Sequence, residues 1–207
     1  MALTWRHPFT CLITGPTSCG KTQFTLRLLR YAKTVIQPSP QKIVWCYGVY
    51  QTAFDALRED GTIEFREGLP NPESFDGRQR TLLIIDDLMS ETDDRVTKIF
   101  TKISHHMDVS VIYLTQNLFF AGKHNRTIGL NSHYLVIFKN PRDATQICHI
   151  GRQMFPGRSK YVTEAFRDAT ATPFSYMLID LKPDTLEEHR LRTGIFPGDQ
   201  SYAYLPK

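Results

Sequence analysis

Gly15-Pro16-Thr17-Ser18-Cys19-Gly20-Lys21-Thr22 matches G-x-x-x-x-G-K-[ST], the pattern of a phosphate-binding P-loop, or Walker A element. It follows the apolar run Cys11-Leu12-Ile13 and precedes residues 24–35, in which apolar side chains recur every three or four positions. The pattern requires strand, loop and helix in this order. Residues 15–22 therefore predict a loop that binds the phosphates of a nucleotide.

Each part of the predicted loop has a chemical role. Gly15 and Gly20 let the backbone turn its amides inward, so that these amides and the helix N-terminus meet the phosphates. Lys21 is expected to reach the β/γ oxygens, and the Thr22 hydroxyl to ligate Mg²⁺. We therefore expect ATP and Mg²⁺ as cofactors, held by Gly15, Pro16, Thr17, Ser18, Cys19, Gly20, Lys21 and Thr22. The alternative is a Gly-rich turn that merely caps a helix.

Length and composition favour a single α/β domain spanning residues 1–207, with residues 183–207 as a C-terminal hairpin or arm. A chain of 207 residues with 41% hydrophobic content is long enough for one proper core and short for two. The 25 Lys and Arg against 21 Asp and Glu give a net charge of +4. This mild excess permits a polyanionic partner without requiring one.

Cysteine usage and hydropathy favour an intracellular protein. The cysteines at 11, 19, 46 and 148 show no C-x-x-C or metal-binding spacing, which fits a reducing compartment. No stretch approaches the ~20 apolar residues that span a bilayer, and the N-terminus lacks the apolar region of a signal peptide. We expect no membrane partner, and leave nucleus or cytoplasm open.

Apolar runs alternate with amphipathic segments, which predicts a mostly parallel sheet flanked by helices on both faces. The predicted strands are Phe9–Thr14, Lys42–Tyr47, Thr81–Ile85, Val109–Leu114, Tyr134–Phe138 and Phe174–Leu181, with Leu191–Phe196 pairing with the last and an edge strand at Thr62–Phe65. The predicted helices are the P-loop helix, Gln51–Glu59, Glu91–Met107 capped by Ser90, Pro141–Met154 capped by Asn140, and Ser159–Thr170.

Ligands of parallel α/β sheets bind at the carboxyl ends of the strands. The third strand ends in Asp86-Asp87, after an apolar run typical of a Walker B element. Asp86 is expected to hold Mg²⁺. Asp87 stands where many ATPases carry a Glu that orients the attacking water, but its side chain is one methylene shorter. The alternative for both is an exposed acid at a strand end.

Gln116 follows the fourth strand. An amide there can hold a lytic water or sense the γ-phosphate through its donor and acceptor ends. A nucleotide kinase has no need of this device. The alternative is a polar residue that simply leaves the sheet.

Basic residues follow the fourth and fifth strands. Lys123, His124 and Arg126 are predicted to lie in a loop, where they would neutralise DNA phosphates or supply an arginine finger to a neighbour's site. Arg142, after the fifth strand, is the second candidate finger. The alternative for the loop is an ordinary solvated surface.

These motifs together resemble a known family. The P-loop, Leu82-Leu83-Ile84-Ile85-Asp86-Asp87-Leu88-Met89, Leu114-Thr115-Gln116-Asn117, Phe138-Lys139-Asn140-Pro141-Arg142-Asp143 and Arg152-Gln153-Met154-Phe155-Pro156 occur in this order. Over about Phe9 to Pro156 they are similar to viral genome-packaging ATPases of the FtsK/HerA superfamily. The nearest likeness is to those of Polinton (Maverick) and adintovirus-like elements, and more distantly to poxvirus-type enzymes.

The resemblance implies a RecA-like (ASCE-type) core and a homo-oligomeric ring, a pentamer or hexamer. It implies ATP-driven movement of double-stranded DNA into a capsid inside a host cell, with capsid proteins as possible partners. It also implies Gln116 as the polar sensor, and it leaves the finger open between Arg126 and Arg142.

Two other functions remain open. One is a P-loop nucleoside or nucleotide kinase, against which stand Gln116 and the lack of an evident Arg-rich lid segment. The other is a nucleotide-dependent switch or scaffold that barely hydrolyses, for which Asp87 in place of Glu is the best support.

Overall fold

The structure is a computed structural model that describes residues 4–50, 52–59, 61–86, 88, 94–118, 123–142 and 144–206. The strands are β1 (Trp5–Arg6), β2 (Thr10–Thr14), β3 (Ile36–Gln37), β4 (Lys42–Tyr47), β5 (Glu64–Glu67), β6 (Thr81–Asp86), β7 (Val109–Thr115), β8 (Tyr134–Phe138), β9 (Tyr176–Asp180), β10 (Leu191–Thr193) and β11 (Tyr202–Ala203). The helices are α1 (Lys21–Arg30), α2 (Ala32–Val35), α3 (Asp55–Glu59), α4 (Asp94–Lys98), α5 (Ser104–His106), α6 (Lys123–Leu130), α7 (Thr145–Met154) and α8 (Ser159–Ala169). A π-helical segment, Ile99–Ile103, joins α4 to α5.

The main sheet has nine strands in the order β5-β4-β6-β7-β2-β8-β9-β10-β11. The strands from β5 to β8 are parallel to one another, and β9, β10 and β11 each pair antiparallel with the preceding strand. Strand β7 lies between β2, which leads into the P-loop, and β6, which ends in Asp86. The sheet is therefore mostly parallel, as predicted, with an antiparallel extension at one side.

The register brings four strand ends to one edge of the sheet. Thr14 of β2 lies opposite Thr115 of β7 and Ile137 of β8, and Leu114 lies opposite Asp86 of β6. The Gly15 amide continues the ladder by donating to the Thr115 carbonyl at 3.3 Å. The P-loop, Gln116 and Asp86 consequently share the carboxyl edge of the parallel strands.

Side chains of the central strands alternate between two buried clusters, one on each face of the sheet. On β2, Cys11 and Ile13 face the cluster that includes Phe24 and Leu28 of α1, whereas Leu12 faces the opposite cluster. That second cluster contains apolar side chains from the helices of the other face: Val96, Phe100, Ile128, Ile147, Ile150 and Val162. Helices thus cover both faces, which explains why a central parallel strand such as β6 is apolar from Leu82 to Ile85 rather than alternating.

The five central parallel strands and the sixth strand are confirmed within one or two residues at their ends. The predicted pairing of Leu191–Phe196 with the sixth strand is also confirmed, although β10 ends three residues earlier, at Thr193. The edge strand lies two residues later than predicted, at Glu64–Glu67. The sequence did not reveal β1 and β3, a two-residue parallel pair outside the main sheet, or the short β11.

Two helix predictions need correction, and the start of a third lies outside the described residues. The P-loop helix is interrupted at Tyr31 and continues as the short α2. Asn140 does not cap α7, because its side-chain oxygen accepts the Arg142 amide at 3.1 Å and forms a turn, so the helix starts at Thr145. Among the described residues, the helix predicted from Glu91 begins at Asp94; Ser90 lies outside them.

The basic residues 123–126 belong to α6 rather than to a loop. The helix forms because Ile128, one turn on, is buried in the core on the face shared with α4. No helix within the described ranges has the length and apolar character needed to cross a bilayer.

Candidate nucleotide site

The P-loop forms a tight turn between β2 and α1. Its Cys19 amide donates to the Pro16 carbonyl at 3.3 Å, and Ser18 and Gly20 have positive φ angles of 62° and 110°. The Lys21 ammonium folds back over the loop and donates to the carbonyls of Gly15 (2.6 Å) and Pro16 (3.0 Å). This places a cation over the loop, where phosphate oxygens would replace the carbonyls as its partners.

Gly15 is packed too closely for any side chain. A Cβ atom at this position would lie 2.6 Å from the Cys19 sulfur and 2.7 Å from Cβ of Phe138, the last residue of β8. The loop therefore rests directly on the end of β8, and the glycine is required for space.

Cys19 is half-buried within the loop. Burial raises the pKa of its thiol, and the nearby Lys21 opposes this only in part. The thiol consequently stays protonated at neutral pH and is a weak nucleophile.

Asp86 is the only carboxylate among the described residues that was predicted at this edge. It is buried, with 6% of its surface exposed, at the end of β6, two strands from β2, and hence roughly 10 Å across the sheet. Protein sites hold Mg²⁺ with one or two carboxylates together with substrate phosphates. Asp86 and the Thr22 hydroxyl, in the first turn of α1, are suitable donors for such an ion. Asp87 lies outside the described residues.

In the described part of the chain, no group of three or more His, Cys, Asp and Glu side chains is placed to hold a metal by itself. A site built from Asp86 and Thr22 would therefore rely on the phosphates for its remaining ligands.

Gln116 is half-buried beside the P-loop, as its position after β7 predicted. Together with Gly15, Asn140 and Gln146 it lines a small cavity of about 10 Å³, close to the volume that a single water needs. Gln146, on α7, is buried, and its side-chain oxygen accepts the Leu118 amide at 3.2 Å. Gln146 belongs to no motif, so its place in this site could not be predicted from the sequence.

The two candidate fingers lie in different elements. Arg142 is exposed in the turn before α7. Arg126 lies on α6 and not on a loop, and the side chains at 123–126, including those of Lys123 and His124, are outside the description. Three further basic side chains that could contact DNA are exposed: Arg152, Arg158 and Lys160.

A cleft of about 500 Å³ opens beside the P-loop. The P-loop and α1 contribute Ser18, Gly20, Lys21, Thr22 and Arg27, and the opposite side includes Phe174, Tyr176 and Phe196. A volume of 300–1,000 Å³ is usual for a small-molecule site. Arg27 of α1, which was not among the predicted site residues, lines the same cleft.

Arg27 also ties the far side of the cleft to α1. Its guanidinium donates to Asp199 Oδ1 at 2.6 Å and lies 4.6 Å from the centroid of the Phe196 ring. Phe24 of α1 packs against the same ring, at 5.1 Å between centroids. Residues 196–199, which the sequence placed in a hairpin or arm, therefore form part of the candidate site.

No protein-family model matches this chain, and no curated protein matches it. Among solved structures, it is similar to the cytoplasmic domain of the type VII secretion ATPase EccC of Thermomonospora curvata, with a TM-score of 0.52 and 14% identity. That match covers 88% of this chain and 26% of the other, so this chain spans about a quarter of its length. The N-terminal domain of zonular occludens toxin from Neisseria meningitidis matches with a TM-score of 0.36 and 14% identity, over 66% of this chain and 79% of that one. The likeness to EccC shows that the chain shares the fold of a domain found in a P-loop ATPase.

Proposed function

We propose that this protein is a RecA-like ATPase that moves double-stranded DNA as part of an oligomeric ring, in the manner of a viral or transposon genome-packaging motor. The observation that best supports this proposal is the strand order, in which β7 lies between the P-loop strand and the Asp86 strand. This order sets Gln116 between the phosphate loop and the predicted metal ligand.

The residues of this chain supply defined parts of ATP hydrolysis. Lys21 and the loop amides bind the phosphates and stabilise charge that develops on their oxygens. Thr22 and Asp86 would hold Mg²⁺, which neutralises phosphate charge when bound. Gln116 orients a water through its amide, since it lines a cavity of about one water's volume next to Gly15.

The small cavity favours hydrolysis over transfer to a second nucleotide. A kinase must keep water away from the phosphoryl group, whereas three amide side chains, those of Gln116, Asn140 and Gln146, line the cavity beside Gly15. Amides are suited to holding a water by hydrogen bonds. The resemblance of the motifs to packaging ATPases adds DNA as the substrate, and the exposed cations Arg152, Arg158 and Lys160 suit a phosphate backbone.

One assay tests the proposal against the kinase. Phosphate release is measured with ATP alone, with added duplex DNA and with nucleoside monophosphates, for the native protein, Lys21→Ala and Asp86→Ala. We expect DNA to stimulate release, and each substitution to lower it by roughly two to three orders of magnitude while circular dichroism stays unchanged. Full activity in Lys21→Ala would refute the site. Transfer to a monophosphate without stimulation by DNA would establish the kinase instead.

A further inference from the structure

We propose that Phe174 is the stacking platform for the nucleobase, facing a wall formed by Phe196 and held in place by Arg27. The inference rests on the proposed function, because it takes residues 15–22 as the site of the nucleotide's phosphates. It adds a binding role for three residues that no motif contains.

Two features of Phe174 are unfavourable for the stability of the fold, and its own packing does not compensate for them. It lies in the turn before β9 with a φ of 62°, a left-handed conformation that bulky side chains rarely adopt. At the same time 71% of its surface is exposed, so little apolar burial accompanies the unfavourable backbone. Such outliers concentrate at ligand-binding positions, where the conformation serves the ligand.

The Phe174 side chain lies directly beside the phosphate loop. A Cβ atom built on Gly20 would be 3.6 Å from both Cβ and Cδ1 of Phe174. The side chain lines the same cleft as Lys21 and Thr22. A nucleotide with its phosphates on the loop therefore has an exposed aromatic ring within its own length.

Phe196, by contrast, is buried and held from several sides. Arg27 lies over its ring at 4.6 Å, and the Phe196 amide donates to Asp199 Oδ2 at 3.3 Å. Asp199 accepts from Arg27 in turn, so ring, carboxylate and guanidinium restrain one another. The cleft thus combines one fixed aromatic wall with one exposed ring, an arrangement suited to a flat heterocycle.

Binding of ATP and of inorganic tripolyphosphate by the purified full chain separates the base from the phosphates. We expect Phe174→Ala to weaken ATP binding roughly 5- to 150-fold, the range for loss of one base–aromatic stack. Tripolyphosphate binding should stay within about twofold of native, since the loop is untouched. Leu186→Ala is the matched control, because Leu186 is also largely exposed and lies outside the cleft. Unchanged ATP affinity in Phe174→Ala would overturn the inference.

Two further variants make the test independent of whether Phe174→Ala folds correctly. Phe174→Gly suits a φ of 62° without strain and should show the same selective loss of ATP, so a folding defect in the Ala variant would not decide the result. Phe174→Trp should retain ATP binding, and its added indole fluorescence should respond to ATP and not to tripolyphosphate. An equal response to both ligands would contradict stacking.

Failure of this inference and failure of the proposed function give different results. If the native protein binds neither ligand, or if Lys21→Ala binds both as the native protein does, the nucleotide site itself is wrong. If both ligands bind through Lys21 and Phe174→Ala binds ATP normally, only the role of Phe174 is wrong.

Discussion

Gly15 illustrates how a single residue determines whether the phosphate loop can form. We predict that Gly15→Ala abolishes binding of ATP and of tripolyphosphate and lowers the free energy of unfolding by about 1–3 kcal/mol, because the new methyl group overlaps Cys19 and Phe138. Urea denaturation and calorimetric titration measure the two effects.

Gly129→Ala is the matched control for that substitution. Gly129 lies within α6, and a Cβ atom there would meet nothing within 4 Å. Alanine in a helix is favoured over glycine by roughly 0.8–1 kcal/mol, so this variant should be slightly more stable and bind ATP normally. If Gly15→Ala also bound normally, the close packing of the loop on β8 would be irrelevant to function.

Site residues within a local motif could be predicted from the sequence. Site residues that are distant in the sequence and come together only in the folded chain could not. The P-loop and Asp86 stand out because their neighbours in the chain carry the signal. Arg27, Phe174 and Phe196 line one cleft only because β9 pairs with β8, next to the P-loop strand. An exposed Phe174 also looks like any core phenylalanine in sequence.

At the level of secondary structure elements, a buried hydrogen-bond network joins the segment after β1 to β7. His7 Nε2 lies 3.1 Å from both the carbonyl and the carboxylate of Asp108, so this nitrogen must carry the proton of the neutral ring. Nδ1 then accepts from the Ser110 hydroxyl at 2.6 Å, and that oxygen accepts the Phe9 amide at 3.1 Å.

This network predicts a pH-dependent stability. Burial lowers the pKa of His7; the Asp108 carboxylate opposes that shift and the Arg80 cation adds to it. The unfolded chain therefore binds a proton more readily than the native protein. The contribution of His7 to stability is complete above about pH 6.5 and falls as the pH drops below that value.

Urea denaturation between pH 5 and pH 7.5 tests this. The free energy of unfolding of the unsubstituted protein should fall on acidification. That of His7→Gln should fall less over the same pH range. Equal slopes for the two proteins would show that His7 titrates alike in both states. Circular dichroism at each pH confirms that the starting state is folded.

Elements with a strong internal pattern were predictable. The mainly apolar runs of β4, β6, β7 and β8 predicted buried strands at these positions. Helix α6 was missed because Lys123-His124-Asn125-Arg126 carries no apolar periodicity, and its helical state depends on Ile128 docking in the core. The order of the strands in the sheet could not be predicted from the sequence either, because strand pairing is decided by contacts between distant segments.

At the scale of the whole molecule, the proposed ring requires a cation from one subunit to act in the site of the next. We predict that the dilute monomer is nearly inactive and that activity rises as the ring assembles. An arginine finger supplies roughly 10³ to 10⁵ in rate. Arg142, exposed in the turn after β8, and Arg126, on α6, are the candidates.

Mixing inactive variants measures this directly. Lys21→Ala subunits keep their arginines, and Arg142→Ala or Arg126→Ala subunits keep their P-loops, so one such mixture should recover phosphate release. Arg27 is the alternative source of the cation, since it already lines the cleft of its own subunit. Two results together would show that the cation acts within one subunit. Mixed oligomers would form without recovering phosphate release, and a dilute monomer would be active unless it carried Arg27→Ala.

The cleft draws its two sides from opposite parts of the chain. The P-loop and α1 supply one side, and Phe174, Phe196 and Asp199 supply or support the other. During synthesis, a ribosome exposes the phosphate loop long before it releases the residues that complete the cleft. A nascent chain that ends before residue 174 therefore lacks the aromatic side of the cleft. If Phe174 stacks on the base, tight retention of ATP would begin only once residue 199 has emerged, so nucleotide binding would report that the two sides of the cleft have joined.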